Sequence, residues 1–230
     1  MKNTLQTLDR GIQALDIISN SKAGVTVAQL ANELGISRSI VYRIVATLEN
    51  HGMIMRTSSG ALLLGAAAVV ISQRFEPQLR AIAQPILESL AQKTGVTAFI
   101  STAQGNDCYV IMVEECNSSL LRFGYRLGSK HLLTLGAAGI AILSGRAEQA
   151  CDTQAVKQAR KDGYSVTEGE LQTGALGVAS PILTYKDQNF TLRESCIGVV
   201  GSDKLDKELA IQEVSKAVST LAKKILSSVK

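Results

Sequence analysis

The chain has no tryptophan, and aromatic residues of any kind make up 4% of its 230 positions. It has two histidines, His51 and His131, far apart in sequence, and four cysteines, Cys108, Cys116, Cys151 and Cys196, with no CxxC pair and no Cys/His cluster. That scatter gives neither a zinc site nor a disulfide framework, and the thiols are expected to be reduced. Also missing are a GxSxG elbow, a GxxxxGKS/T phosphate loop, a GxGxxG turn and an HExxH helix, so nucleophilic, nucleotide or metal chemistry has little to use. Glu168 and Glu170, two positions apart, read as solvated carboxylates rather than an acid/base pair. The expectation is a protein that is not an enzyme and holds no cofactor and no metal. No charge-free apolar run approaches a membrane span. The opening MKNTLQTLDRGIQAL shows no apolar core followed by a small-residue cleavage site, which points to the cytoplasm and to no membrane partner.

What is present centres on Thr26 to Asn50, TVAQLANELGISRSIVYRIVATLEN. Val27, Leu30, Ala31 and Leu34 recur at the spacing of one helical face, and Thr26 with Gln29 has the form of a capping box. Gly35, Ile36 and Ser37 break this helix: glycine suits a left-handed end, and Ser37 is placed to cap a second helix. In that second helix Val41, Ile44, Val45 and Leu48 form the buried stripe, leaving Arg38, Ser39, Tyr42, Arg43 and Ala46 outward. Two short helices across a glycine turn form a helix-turn-helix, whose second helix enters the major groove of double-stranded DNA by its N-terminal residues. Arginine can fork onto guanine, and Ser or Tyr can reach phosphate or base edges. Residues 1–75 hold seven basic against four acidic side chains, three of the chain's net +4 charge, so the excess sits with the reader.

With 46% hydrophobic residues, 230 positions suffice for two modest domains. A helix over Thr7 to Ser19 presents Leu8, Ile12, Leu15 and Ile18 and is expected to pack beneath the hairpin. Met53 to Arg56 and Ala61 to Leu64 read as two strands about a Thr-Ser-Ser-Gly turn, a wing. His51 reads as a polar helix-end residue. Ala66 to Glu76 is apolar around much of its circumference and is expected to meet its copy in a second subunit. Then come a helix over Gln78 to Lys93, with Pro85 as an expected kink, and strands over Val96 to Thr102, Cys108 to Glu114 and Leu120 to Tyr125. Helices over Gly136 to Ser144 and Ala155 to Lys161 follow, then strands near Tyr164 to Thr167, Gly177 to Thr184 and Thr191 to Val200, and a closing helix over Asp206 to Ser227. Grouped strands flanked by helices predict an α+β domain with an antiparallel sheet.

In order along the chain, LDRGIQALDII, LGISRSIVYRIVATLENHGMI, the Gly60 to Gly65 wing exit, LRAIAQPILESLAQKTG, RKDGYSVTEGE and GALGVASPI together resemble the IclR family of bacterial and archaeal transcriptional regulators. The resemblance implies a winged helix-turn-helix domain over 1–65, a linker and dimerisation helix over 66–77, and a GAF/PAS-like α/β effector-binding domain over 78–230. It implies a homodimer, or a dimer of dimers, that binds operator DNA and answers to a small-molecule effector. By position, the DNA set is Thr26, Ser37, Arg38, Ser39, Ile40, Tyr42, Arg43 and Arg56. The effector set is Thr134, Ala137, Ala138, Thr167, Ala175, Gly177, Gly198 and Val200.

The chain departs from the family's pattern in places. Where members often carry an acid, a cysteine and two serines, it has Thr167, Gly177, Gly198 and Val200, which implies a roomier, less polar pocket and a larger or partly apolar ligand. Thr134, Arg122, Arg126, Lys130 and His131 cluster in sequence beside the presumed wall; the cations either meet a carboxylate or are solvated loop charges. Cys196 reads as core. The wing exit lacks basic and aromatic residues, leaving Arg56 for phosphate. Ile40, in place of a hydroxyl residue, either touches a thymine methyl or packs inward. A short segment between Arg146 and Lys157 weakens the expectation of a tetramer. The other reading is an architectural DNA-binding or interaction protein with no ligand response.

Overall fold

The computed structural model describes residues 4–75, 77–116, 125–183 and 194–228. Glu76, the expected strand start at Leu120, the Arg122 cation, and the strand ends at Thr184 and Thr191 lie outside the described residues. The chain divides into two compact units, Met1–Pro77 and Gln78–Lys230.

The first unit contains α1 (Gln6–Ser19), α2 (Val27–Leu34), α3 (Arg38–Asn50), β1 (Ile54–Arg56), β2 (Leu62–Leu64) and α4 (Ala66–Gln73). Its core is Ala14 and Ile18 of α1, Leu30 and Ala31 of α2, Val41, Ile44 and Val45 of α3, and Ile54 and Leu62 of the wing. The capping box is complete: the Thr26 hydroxyl accepts from the Gln29 N–H at 3.2 Å, and Gln29 Oε1 accepts from the Thr26 N–H at 2.9 Å. Gly35 ends α2 at φ 63°, a left-handed conformation that costs a Cβ-bearing residue energy. The strands pair antiparallel, Ile54 with Leu64 and Arg56 with Leu62. α1 differs from expectation. Its buried face centres on Ala14 and Ile18, one turn apart, so Leu8 and Ile12 stand to the side and are 60% and 58% exposed. They line an open cleft with Ile40, Ile44 and Leu48 of α3.

The second unit is a six-stranded antiparallel sheet between two helical layers, with strand order β5-β4-β3-β8-β7-β6. The strands are β3 (Thr97–Gln104), β4 (Asp107–Glu114), β5 (Lys130–Leu132), β6 (Ser165–Glu168), β7 (Ala175–Pro181) and β8 (Ser195–Ser202). β5, read from sequence as loop, is an edge strand on β4. The period of two sorts side chains between faces. Ala98 and Ile100 of β3 and Ile197 and Val199 of β8 pack under α5 (Pro77–Thr94) and α8 (Lys207–Ser228). Phe99 and Cys196 face α6 (Gly136–Ser144). α7 (Gln154–Asp162) packs on α6 through Val156, Ala159 and Ile140. β4 carries one extra residue: Ile100 pairs with Met112 and Ser101 with Val110, so Ile111 has no partner and the strand's facing flips there. Pro85 sits inside a continuous α5. Among the described residues no helix is long and apolar enough to cross a membrane.

α6 is built almost wholly of small residues, which lets it lie close on the sheet. A Cβ on Gly139 would fall 2.3 Å from the Leu133 carbonyl oxygen, and one on Gly177 would fall 3.3 Å from the Ala137 Cβ. The Ser165 hydroxyl, buried between β6 and α6, donates to the Ala137 carbonyl at 2.5 Å.

Candidate nucleic-acid interface and ligand cavity

The reading face lies at the start of α3. Arg38, Ser39, Tyr42 and Arg43 are exposed, as the helical spacing predicts. Among the described residues the side chains of Arg38, Tyr42 and Arg43 have no hydrogen-bond or ion-pair partner, so their donors are free for another molecule. Ser37 stands at the N-cap position, but its hydroxyl does not cap the helix; it bonds Ser39 Oγ at 2.9 Å. The first N–H groups of α3 are thereby left open, which suits an incoming phosphate. The Thr26 hydroxyl is held on both sides by Gln29, accepting from its N–H and donating to its Oε1 at 2.8 Å. Ile40 is half-buried, packs against the domain core and also lines the cleft with Leu8 and Ile12. The Arg56 Nε donates to Glu49 Oε1 at 3.2 Å, so the wing's cation is paired to α3. His51 is exposed at the end of α3 and closes the helix through its backbone N–H rather than its ring.

In the second unit a cavity of about 220 Å³ opens between the sheet and the N-terminus of α6. Six of the eight residues expected to line an effector site line it: Ala137, Ala138, Thr167, Ala175, Gly177 and Val200. Register explains the grouping, since Thr167 pairs with Gly177 and Gly177 with Val200 across three strands, beneath Ala137. Thr134 and Gly198 are not among the lining residues. Thr134 is exposed in the turn before α6. At Gly198 the room left by the missing side chain is taken by Phe99: a Cβ there would fall 2.6 Å from the ring tip and 2.5 Å from the Val178 carbonyl oxygen.

The rest of the wall comes from residues that motif comparison does not reach. Phe99 stacks obliquely on Tyr125, with centroids 4.4 Å apart at 51°. The Tyr125 hydroxyl lies 3.0 Å from His131 Nε2, and His131 Nδ1 lies 2.9 Å from the Leu132 carbonyl. A carbonyl only accepts, so the His131 Nδ1–H donates to Leu132, which turns Nε2 toward the Tyr125 hydroxyl. Behind them, burial pushes the Cys108 thiol up to about 12, against hydrogen bonds with Ser101 and Tyr125 that lower it. Burial also raises Tyr125 and Cys196, keeping both in their neutral forms. Lys130 reaches the rim, but its ammonium lies 5.8 Å from the ring centroid of its register partner Tyr109, on the strand face opposite Cys108 and His131.

Glu170 is exposed, as its sequence reading as a solvated carboxylate expects, but it also lines the cavity mouth, where its Oε2 accepts from the Gly136 N–H at 2.8 Å at the start of α6. Its neighbour Leu171 rests on the same glycine: a Cβ at Gly136 would fall 2.5 Å from Leu171 Cδ1, and Gly136 has φ 70°. Sequence spacing gave no warning of this, because Glu170 arrives from a β-hairpin loop 34 residues after Gly136.

A recognition helix with exposed arginines beside a wing, and a separate α/β unit with a small open cavity, define a DNA-binding regulator rather than an enzyme. Residues 7–58 match the family model of the IclR helix-turn-helix domain. The acetate operon repressor of Salmonella typhimurium is 26% identical over 204 residues, 77% of this chain and 74% of that protein. Two crystal structures share the fold over nearly the whole length. An IclR transcriptional regulator from Alicyclobacillus acidocaldarius has TM-score 0.77 at 18% identity, covering 96% of this chain and 98% of its own. An IclR homologue from Microbacterium hydrocarbonoxydans, complexed with 4-hydroxybenzoate, has TM-score 0.81 at 14% identity, covering 96% and 99%. The helix-turn-helix match and the curated relative together support a transcriptional regulator of the IclR family.

Proposed function

We propose that this regulator reads a pseudo-palindromic operator as a homodimer and that a small molecule held in the second unit's cavity modulates its operator affinity. The observation that carries the DNA half is the face of Arg38, Ser39, Tyr42 and Arg43, exposed at the leading end of α3 with arginines lacking any partner among the described residues. Arg38 and Arg43 are the candidates for base contacts, and the open N–H groups at Ser37 for a phosphate. The dimer rests on α4, which buries none of its residues and exposes Val69, Val70 and Ile71. Such a patch on a short helix favours a second apolar surface.

The effector half rests on the cavity. Its volume of about 220 Å³ exceeds the roughly 150 Å³ that admits benzene and falls below the roughly 300 Å³ at which drug-sized sites begin. Phe99, Leu171 and small aliphatic residues form most of its wall, and Tyr125, His131 and Thr167 add polar groups. A single substituted ring fits this description, and the homologue complexed with 4-hydroxybenzoate is a precedent for that size class. The cavity also favours a ligand response over the architectural alternative.

Release of operator duplex by candidate metabolites tests the coupling. By linkage, a metabolite that weakens operator binding by some factor must itself bind more weakly, by that factor, to the operator complex. Ligand affinity unchanged by saturating operator would rule the coupling out.

A further inference from the structure

We propose that Glu170 sets the charge of the molecule the cavity admits, selecting a ring-sized ligand whose polar end is a hydrogen-bond donor or cation and rejecting carboxylates. The inference rests on the effector reading of this cavity and concerns which chemistry enters it.

Glu170 is the one carboxylate among the described lining residues. Its loop is fixed at both ends: Gly169 and Gly174 take φ 71° and 74°, and the Gly169 N–H donates to the Ala175 carbonyl at 2.8 Å. The side chain is therefore delivered to one place, where Oε2 takes the Gly136 N–H at the positive end of α6. Leu171, seated on Gly136 beside it, holds the loop down on the same turn. The favourable position for an anion at this end of the cavity is thus already filled by the protein's own carboxylate. A second carboxylate there meets repulsion at short range, screened in part by water because Glu170 is exposed. The Lys130 ammonium does not offset this, because it lies over Tyr109 on the other face of the sheet. Glu170 Oε1 has no partner among the described residues and points the selection toward a donor: an amide, amine or amidine nitrogen.

Benzoate, benzamide and benzamidine present one ring with negative, neutral and positive polar ends. Titrated calorimetrically into the full chain and into Glu170→Gln, they separate charge selection from fit. In the wild type benzamide and benzamidine are expected to bind roughly tenfold or more tighter than benzoate. In Glu170→Gln that preference is expected to shrink to within about threefold. Glutamine keeps the size and an oxygen for the Gly136 N–H, so the loop stays seated, and the Gly136 amide signal in glycine-labelled protein reports this. Benzoate binding the wild type as well as benzamide does, or an unchanged order in Glu170→Gln, overturns the assignment while leaving the cavity a ligand site. Failure of all three probes to bind either protein removes the ligand reading and this inference with it.

Discussion

The Arg56 Nε and Glu49 Oε1 lie 3.2 Å apart, tying the wing to the last turn of the recognition helix. The pair has two consequences. It fixes the wing relative to α3, and it removes the wing's one basic side chain from the pool of free phosphate contacts. Both partners are about one-third exposed, so the contact is screened and adds little stability. Glu49→Gln is expected to leave the fold intact and to raise affinity for any duplex, steepening the salt dependence by about one phosphate contact. Arg56→Ala is expected to change DNA binding less than Arg43→Ala does. Titrations at several salt concentrations measure both.

Gly198→Ala is expected to destabilise the second unit by about 1 to 3 kcal/mol, read by urea unfolding. The new methyl meets the Val178 carbonyl, the Phe99 ring and Ala179 together, and a backbone oxygen cannot swing aside. The tilt of Phe99 over Tyr125 changes with it, so the cavity's ligand affinity falls in parallel.

The buried thiols predict loss of stability in alkali. Cys108 is raised to about 12 when folded and Cys196 also lies well above its ordinary value. A thiol whose folded pKa is raised contributes stability that is whole below its unfolded value, near 8.5, and is lost as pH rises toward the folded value. The slope is about 1.4 kcal/mol per pH unit for each thiol in that window. Unfolding free energies at pH 8 and pH 10 test this, with Cys108→Val expected to flatten the fall. Below that window a thiol reagent is expected to label the exposed Cys151 in the native protein and Cys108 and Cys196 only after unfolding.

Much of this architecture is legible in the sequence because local rules and tertiary packing agree. The Thr26–Gln29 box, the Gly35 break and the Val41–Ile44–Val45 stripe each depend on residues within a turn or two, and each forms as read. The small-residue run at α6 has one role, close approach to the sheet, and its bounds are as expected. Features that need a partner from far away are not legible. The Leu8–Ile12 stripe looks buried until Ala14 is seen to centre the packed face. Ser37 looks like a cap until Ser39 takes its hydroxyl. The space implied by Gly198 vanishes because Phe99, distant in sequence but its direct register partner across β3 and β8, fills it. Glu170 is solvated as read, but nothing in its neighbourhood of sequence reveals its bond to Gly136.

On the acid side, Glu213 of α8 bridges Lys216 at 2.6 Å and Lys93 of α5 at 3.1 Å. Hydrogen bonds from Lys216 and then Lys93 lower its carboxyl below the usual range. A carboxylate with a depressed folded pKa contributes stability above its unfolded value, near 4.3, and loses it as pH falls through the folded one. Both ammonium groups are more than half exposed, which limits the contribution to about 1 kcal/mol or less. Glu213→Gln is expected to be slightly less stable at pH 7 and indistinguishable from wild type near pH 3, as followed by thermal unfolding across that range.

The central claim, sequence-specific reading of DNA by α3, is tested most directly by anisotropy titration. The full chain is titrated on duplex from its own upstream region and on a scrambled duplex at several salt concentrations, beside Arg38→Ala and Arg43→Ala. The account predicts a preference for the native duplex that persists as salt rises, with one or both substitutions costing about 1 to 3 kcal/mol on that duplex and far less on the scrambled one. Equal, salt-sensitive binding to both duplexes, weakened equally by each substitution, would contradict it and reduce the face of α3 to a phosphate contact.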